Sequence, residues 1–111
     1  MSNASRAKGL TGEREVRAVF EEQGFAVRGL EASGDYLVIG IGGLTLHVES
    51  KRQEVTRPWA WIAQAEVDAP AGTIPIVAFR RNRSPWYAIL SLEMLAYLLS
   101  EMYAAGKQKD A

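Results

Sequence analysis

A chain of 111 residues, 48% of them hydrophobic and 23% charged, is long enough for one domain around a single core. Its apolar runs fall well short of the ~20 residues that a membrane span needs. Thirteen Lys and Arg balance thirteen Asp and Glu, so the net charge of zero argues neither for nor against a nucleic-acid partner. The absence of cysteine and the presence of one histidine exclude disulfides, thiolate zinc sites and histidine-rich metal sites. Any metal is expected to be a hard cation held by oxygen.

The start of the chain is polar and basic rather than apolar, so no signal peptide is expected and a cytoplasmic protein fits best. No repeat or low-complexity segment is visible. A first helix is expected from about Lys8 to Gln23, with Val16, Val19 and Phe20 as its apolar stripe and Gly24 as its stop. Phe25 to Arg28 read as a short strand and Leu30 to Gly34 as a loop. Asp35 to Ile41 and Leu44 to Lys51 form a hairpin turning at Gly42-Gly43. A second helix starts near Pro58 and ends before Pro70, with Trp59, Ile62 and Ala63 expected on its core face and Trp61 pointing elsewhere. Ile74 to Phe79 is a buried strand, and Trp86 to Leu90 follows after a basic turn. Ser91 caps a third helix carrying Leu92, Leu95, Leu98, Leu99 and Met102. The order α-β-β-β-α-β-β-α implies one α/β domain over residues 1–111, a mixed central sheet flanked by helices. Residues 1–6 and 106–111 are expected to be flexible ends.

Charge is unevenly spread. Arg6, Lys8, Arg14 and Arg17 crowd the start, and Arg80, Arg81 and Arg83 cluster around Asn82. Either run is a solvated face or a grip on phosphate.

The stretch "SGDYLVIGIGGLTLHVESK", Ser33 to Lys51, concentrates the chemistry. Strand side chains alternate, so Leu46, Val48 and Ser50 point one way, and Thr45, His47, Glu49 and Lys51 the other. A tight turn at Gly42-Gly43 pairs the strands antiparallel and brings Asp35 opposite the end carrying Glu49 and Lys51. On the first helix Glu13 shares the stripe of Val16 and Phe20, where an acid is costly unless it is paired or ligates a cation. Glu13, Asp35 and Glu49 are thus expected to form one oxygen-rich metal site. A structural network, with Lys51 neutralising Glu49 and Asp35 capping a turn, would use the same residues.

These motifs resemble those of the PD-(D/E)XK nucleases, and among them the archaeal Holliday junction resolvases and their phage relatives. "KGLTGEREVRAVFEEQGFAVRG" is similar to their N-terminal segment, "SGDYLVIG" to their Asp strand and "LHVESK" to their Glu-x-Lys strand. The similarity is good over Lys8 to Lys51, weaker through "IPIVAFRRNRSPWYAIL" and thin in the last helix. Gly34 stands where the family pattern has Pro.

The resemblance implies a restriction-endonuclease-like fold and a catalytic set of Glu13, Asp35, Glu49 and Lys51. Asp35, Glu49 and the Ser50 carbonyl would hold Mg²⁺, for which Mn²⁺ would substitute, with Glu13 at a second ion or acting through water. The implied enzyme is an Mg²⁺-dependent endodeoxyribonuclease, phage- or prokaryote-encoded, that resolves four-way junctions by paired symmetric nicks. Arg14 matches a family arginine associated with phosphate. Arg6, Lys8, Gln64, Arg80, Arg81 and Arg83 complete the expected DNA-binding set, although for Gln64 ordinary helix surface is the slightly favoured reading. Symmetric nicks need two sites related by a dyad, hence a C2 homodimer. His47 is expected to be packed and satisfied rather than catalytic. A nuclease for other branched or damaged DNA, or a non-catalytic DNA-binding domain, remains an alternative.

Overall fold

The computed structural model describes the backbone of residues 3–30 and 35–110, and the side chains of 12–30 and 35–107. Its elements are α1 (Asn3–Glu22), β1 (Ala26–Gly29), β2 (Tyr36–Ile41), β3 (Leu44–Arg52), α2 (Pro58–Asp68), β4 (Ile74–Arg80), β5 (Tyr87–Ile89) and α3 (Leu92–Asp110). This is the α-β-β-β-α-β-β-α order read from the sequence. Both terminal helices reach further than their apolar stripes: α1 begins at Asn3 and α3 runs past Gly106 to Asp110.

The five strands lie in sequential order, β1-β2-β3-β4-β5. All neighbours are antiparallel except β3 and β4. That parallel pair requires a crossover, which α2 supplies. The long central strand β3 is therefore covered on both faces. Residues 46–49 are all buried, polar His47 and Glu49 among them.

Two cores result. On one face Val16 of α1 packs with Tyr36, Val38, Ile41, Leu46, Val48, Ile74, Ile76 and Ala78, joined by Phe20, Trp86 and Leu98. Removing each such side chain from water contributes ~1.5–3 kcal/mol. On the other face Trp61 and Ala65 of α2 meet Val77, with Ile62, Phe79 and Ile89 beside them. Here the expectation for α2 is corrected. Trp61 is 6% exposed and Trp59 is 86% exposed. The helix is apolar on several sides, and Phe79, tilted against Trp61 at 5.9 Å between ring centres, decides which side is covered. Nothing local to α2 specifies that partner.

The β2–β3 hairpin contains a feature that its turn alone does not imply. Gly42 and Gly43 have φ of 56° and 84°, as a two-residue hairpin turn with both central φ positive demands. Ile41 pairs with Leu44, yet Ile39 pairs with Thr45. Gly40, at φ 101°, is the extra residue of a bulge. Burial follows the bulge: Tyr36, Val38 and Ile41 are buried, and Ile39 and Gly40 are exposed.

The third helix begins as its sequence suggests. The Ser91 hydroxyl accepts the Met94 amide at 3.1 Å, an N-cap that contributes about 1 kcal/mol. No helix among the described residues is long and apolar enough to cross a membrane.

Candidate functional site

The bulge at Gly40 decides which side chains meet. Paired residues in a sheet share a face, and beyond the bulge Tyr36 pairs with Val48 and Leu37 with His47. Continued by one residue, this register sets Asp35 across from Glu49. Without the bulge the hairpin would oppose Asp35 to Ser50 and leave Glu49 on the far side of the sheet. The Asp35 backbone is held in place by the Leu30 amide, which donates to its carbonyl at 2.8 Å.

Three side chains converge there. One ligand atom from each of Asp35, His47 and Glu49 lies within 4.8 Å of the others. His47 Nε2 is 3.5 Å from Asp35 Oδ2. His47 and Glu49 are 2% and 5% exposed. His47 Nδ1 and Glu49 Oε1 are both buried without a hydrogen-bond partner. An orphaned buried carboxylate oxygen such as Glu49 Oε1 is costly, and a cation is a chemistry that would satisfy it, with His47 presenting Nε2 toward Asp35. The site therefore fits a divalent metal.

The electrostatics agree. Burial, a hydrogen bond with the Asp68 carboxyl and the negative charges of Asp35 and Asp68 push Glu49 up to about 7. The nearby positive charge of Lys51 opposes them. Lys51 lies two residues beyond Glu49 on the same face of β3, opposite Phe79 of β4. Among the described residues it forms no ion pair within 4.0 Å.

Glu13 stands apart from this convergence. It projects from α1, on the helix that covers the Val48 face, and is half-buried. Burial raises its pKa, the Asp35 charge raises it further, and Arg17 lowers it. Glu13 thus senses Asp35 but is not among the residues whose ligand atoms gather. The convergent set contains His47 in the place expected for Glu13. Tyr36 and Ser50 sit nearby. The Tyr36 hydroxyl is buried, its pKa is raised chiefly by that burial, and the Ser50 side chain opposes the rise without reaching hydrogen-bond geometry.

The remaining expected residues divide. Arg14, Arg81 and Arg83 are exposed. Arg80 is not free to grip a ligand: it donates to Glu15 Oε2 at 3.1 Å and lies over the Trp86 ring at 5.8 Å. The same Glu15 oxygen accepts the Trp86 indole N–H at 2.7 Å. Arg80 therefore ties α1 to the sheet. Gln64 is exposed and donates to Asp68 Oδ1 at 2.8 Å. It touches the site only through the acid beside Glu49. The basic turn is anchored through the Asn82 amide, which donates to Glu54 at 2.8 Å, and Arg83 adopts φ 62°. The side chains of Arg6 and Lys8 lie outside the described residues.

Two participants escaped sequence reasoning. His47 carried a signal, because it shares the face of Glu49 two residues away. Asp68 carried a fainter one: an acid in the last turn of a helix opposes the helix dipole.

No family model and no curated protein matches the chain. Among solved structures, its fold is similar to that of Hjc, a Holliday junction resolvase from the archaeal hyperthermophile Archaeoglobus fulgidus. The TM-score is 0.53 and the identity 21%, over 75% of this chain and 72% of that one. At this identity the likeness is one of fold, and the fold is resolvase-like.

Proposed function

We propose that the chain is a divalent-metal-dependent, structure-selective DNA endonuclease that resolves four-way junctions by paired nicks, acting as a homodimer in the cytoplasm of a prokaryote or phage-infected host. The observation that carries this reading is the meeting of Asp35 and Glu49 across the hairpin, with Lys51 beside them on β3. The resolvase-like fold supports it.

Asp35 and Glu49 would hold a divalent cation, with the Ser50 carbonyl as a further oxygen. When bound, a divalent ion neutralises phosphate oxygens and lowers the pKa of water. Lys51 orients the attacking water and offsets charge growing on the phosphate; a compact ammonium on a flexible stem suits both tasks. Glu13, approaching from α1, would serve a second cation or act through water. Arg14, Arg81 and Arg83 offer exposed guanidinium groups to the DNA backbone, and Arg6 and Lys8 extend that set along α1.

The deciding experiment compares cleavage of a four-way junction, a flap and a linear duplex in the presence of Mg²⁺ or Mn²⁺. Selective, symmetric nicking of the junction is expected, and Asp35→Asn abolishes it while junction binding persists. Preference for the flap would reassign the substrate. Binding of branched DNA without cleavage by any divalent ion would make the chain a binding domain.

A further inference from the structure

The single histidine lies where an oxygen-only cation site has no use for one. His47 is almost wholly buried on the Glu49 face of β3, between Leu37 of β2 and Pro75 of β4. Its nearest ionic neighbour, Asp35 Oδ2, is 3.5 Å from Nε2, longer than a good N–H···O hydrogen bond. Its other nitrogen has no partner, and neither has Glu49 Oε1. A histidine packed for stability would have its ring nitrogens satisfied. Here a ligand atom of His47 converges with those of Asp35 and Glu49, the nitrogen nearest Asp35 being Nε2, and Glu49 brings an unpartnered oxygen to the same set. The Asp68 carboxylate adds negative charge beside Glu49.

We infer that His47 is a direct ligand of the cation held by Asp35 and Glu49, and that this nitrogen makes the site prefer a first-row transition ion such as Mn²⁺ over Mg²⁺. The inference rests on the cation site of the proposed function but is independent of whether DNA is cut. Mg²⁺ is a hard ion that favours oxygen and keeps its waters. Imidazole suits first-row ions such as Fe²⁺, Ni²⁺ and Zn²⁺; Mn²⁺ shares the liking of Mg²⁺ for carboxylate oxygen but, being larger and softer, accepts a nitrogen ligand more readily. One imidazole with two carboxylates is a mixed nitrogen and oxygen site. The three side chains are close enough for one ion to reach after modest rotations, and two of them come from adjacent positions on one face of a single strand.

The chain contains one histidine, so the test needs no mutation. Untagged full-length protein is titrated with Mn²⁺ and followed by electron paramagnetic resonance, and Mg²⁺ is measured by displacement. Mn²⁺ is expected to bind at least about 10-fold more tightly than Mg²⁺. Pulsed spectra should show a directly coordinated ¹⁴N, replaced by ¹⁵N when histidine alone is labelled. His47→Phe should remove that coupling and bring the two affinities to within about 3-fold, as an all-oxygen site would. If the variant fails to fold, the ¹⁵N substitution decides alone. Bound Mn²⁺ without histidine nitrogen coupling, equal affinity for the two ions, or no Mn²⁺ binding would each overturn the inference. A protein that shows the coupling but cuts no DNA would refute the nuclease reading and leave this one standing. Junction cleavage without the coupling would do the reverse.

Discussion

Glu49 sets the pH response of the site. Its carboxyl is raised from 4.5 to about 7, first by burial. Between those two values the folded state holds a proton that the unfolded chain has lost. Stability therefore falls as pH rises through this window, since the native state binds more protons there. The contribution of Glu49 is fully present below about 4.5 and lost above about 7. Glu13, also raised, acts in the same direction. In the metal-free protein, thermal melts should show Tm declining across the window, and Glu49→Gln should flatten the decline and raise Tm at its upper end. A Glu49→Gln protein whose Tm declines as steeply as the wild type would assign the effect elsewhere. A bound cation reverses the sign, because it requires the ionised carboxylate. Stabilisation by Mn²⁺ should grow from the lower to the upper end of the window.

At the scale of elements, the hairpin depends on one residue. Gly40 holds φ 101°, a conformation that costs an L-residue about 1–2 kcal/mol. Gly40→Val should lower stability in urea unfolding by about that amount, whereas Ile39→Val, at an exposed neighbour, should change it little. Equal effects would mean that the bulge is relieved in another way.

The same hairpin shows how far the sequence was legible. Alternation in "YLVIG" and "LHVESK" with the Gly-Gly turn marked both strands and brought Asp35 toward Glu49. The bulge that makes them share a face was hidden, because a two-residue turn gives no sign of an extra residue two positions earlier. The signal was the buried Ile41 where strict alternation from Tyr36 and Val38 would bury Gly40. Trp59 and Trp61 were exchanged because burial on α2 is decided by Val77 and Phe79 of a later strand. Arg80 looked like part of a basic cluster because its partners, Glu15 and Trp86, are distant or aromatic. Ser91, whose cap is local, was read correctly.

The whole molecule is longer than its size requires. Its radius of gyration is 14.8 Å, against roughly 13 Å for a compact chain of this length. The excess lies partly in α3, where Leu98 packs on the sheet core while Leu92, Tyr97, Leu99, Met102 and Tyr103 are about half exposed or more. Apolar surface of this extent is unusual on a monomer, and a C2 partner is its simplest cover. Sedimentation should report a dimer, and Leu99→Glu should yield a folded monomer with an unchanged circular dichroism spectrum. A wild-type monomer at micromolar concentration would remove α3 from that role.

The convergent ligands all come from one local hairpin, residues 35 to 49 of the chain. Hairpins zip in roughly 1–10 μs, whereas the parallel pairing of β3 with β4 must await closure of the much longer crossover through α2. The three donors can thus meet before the second core exists. A cation captured at that moment would act as a fastener for an unfinished chain, so trace metal in the refolding buffer should count among the variables that govern how fast this protein reaches its final form.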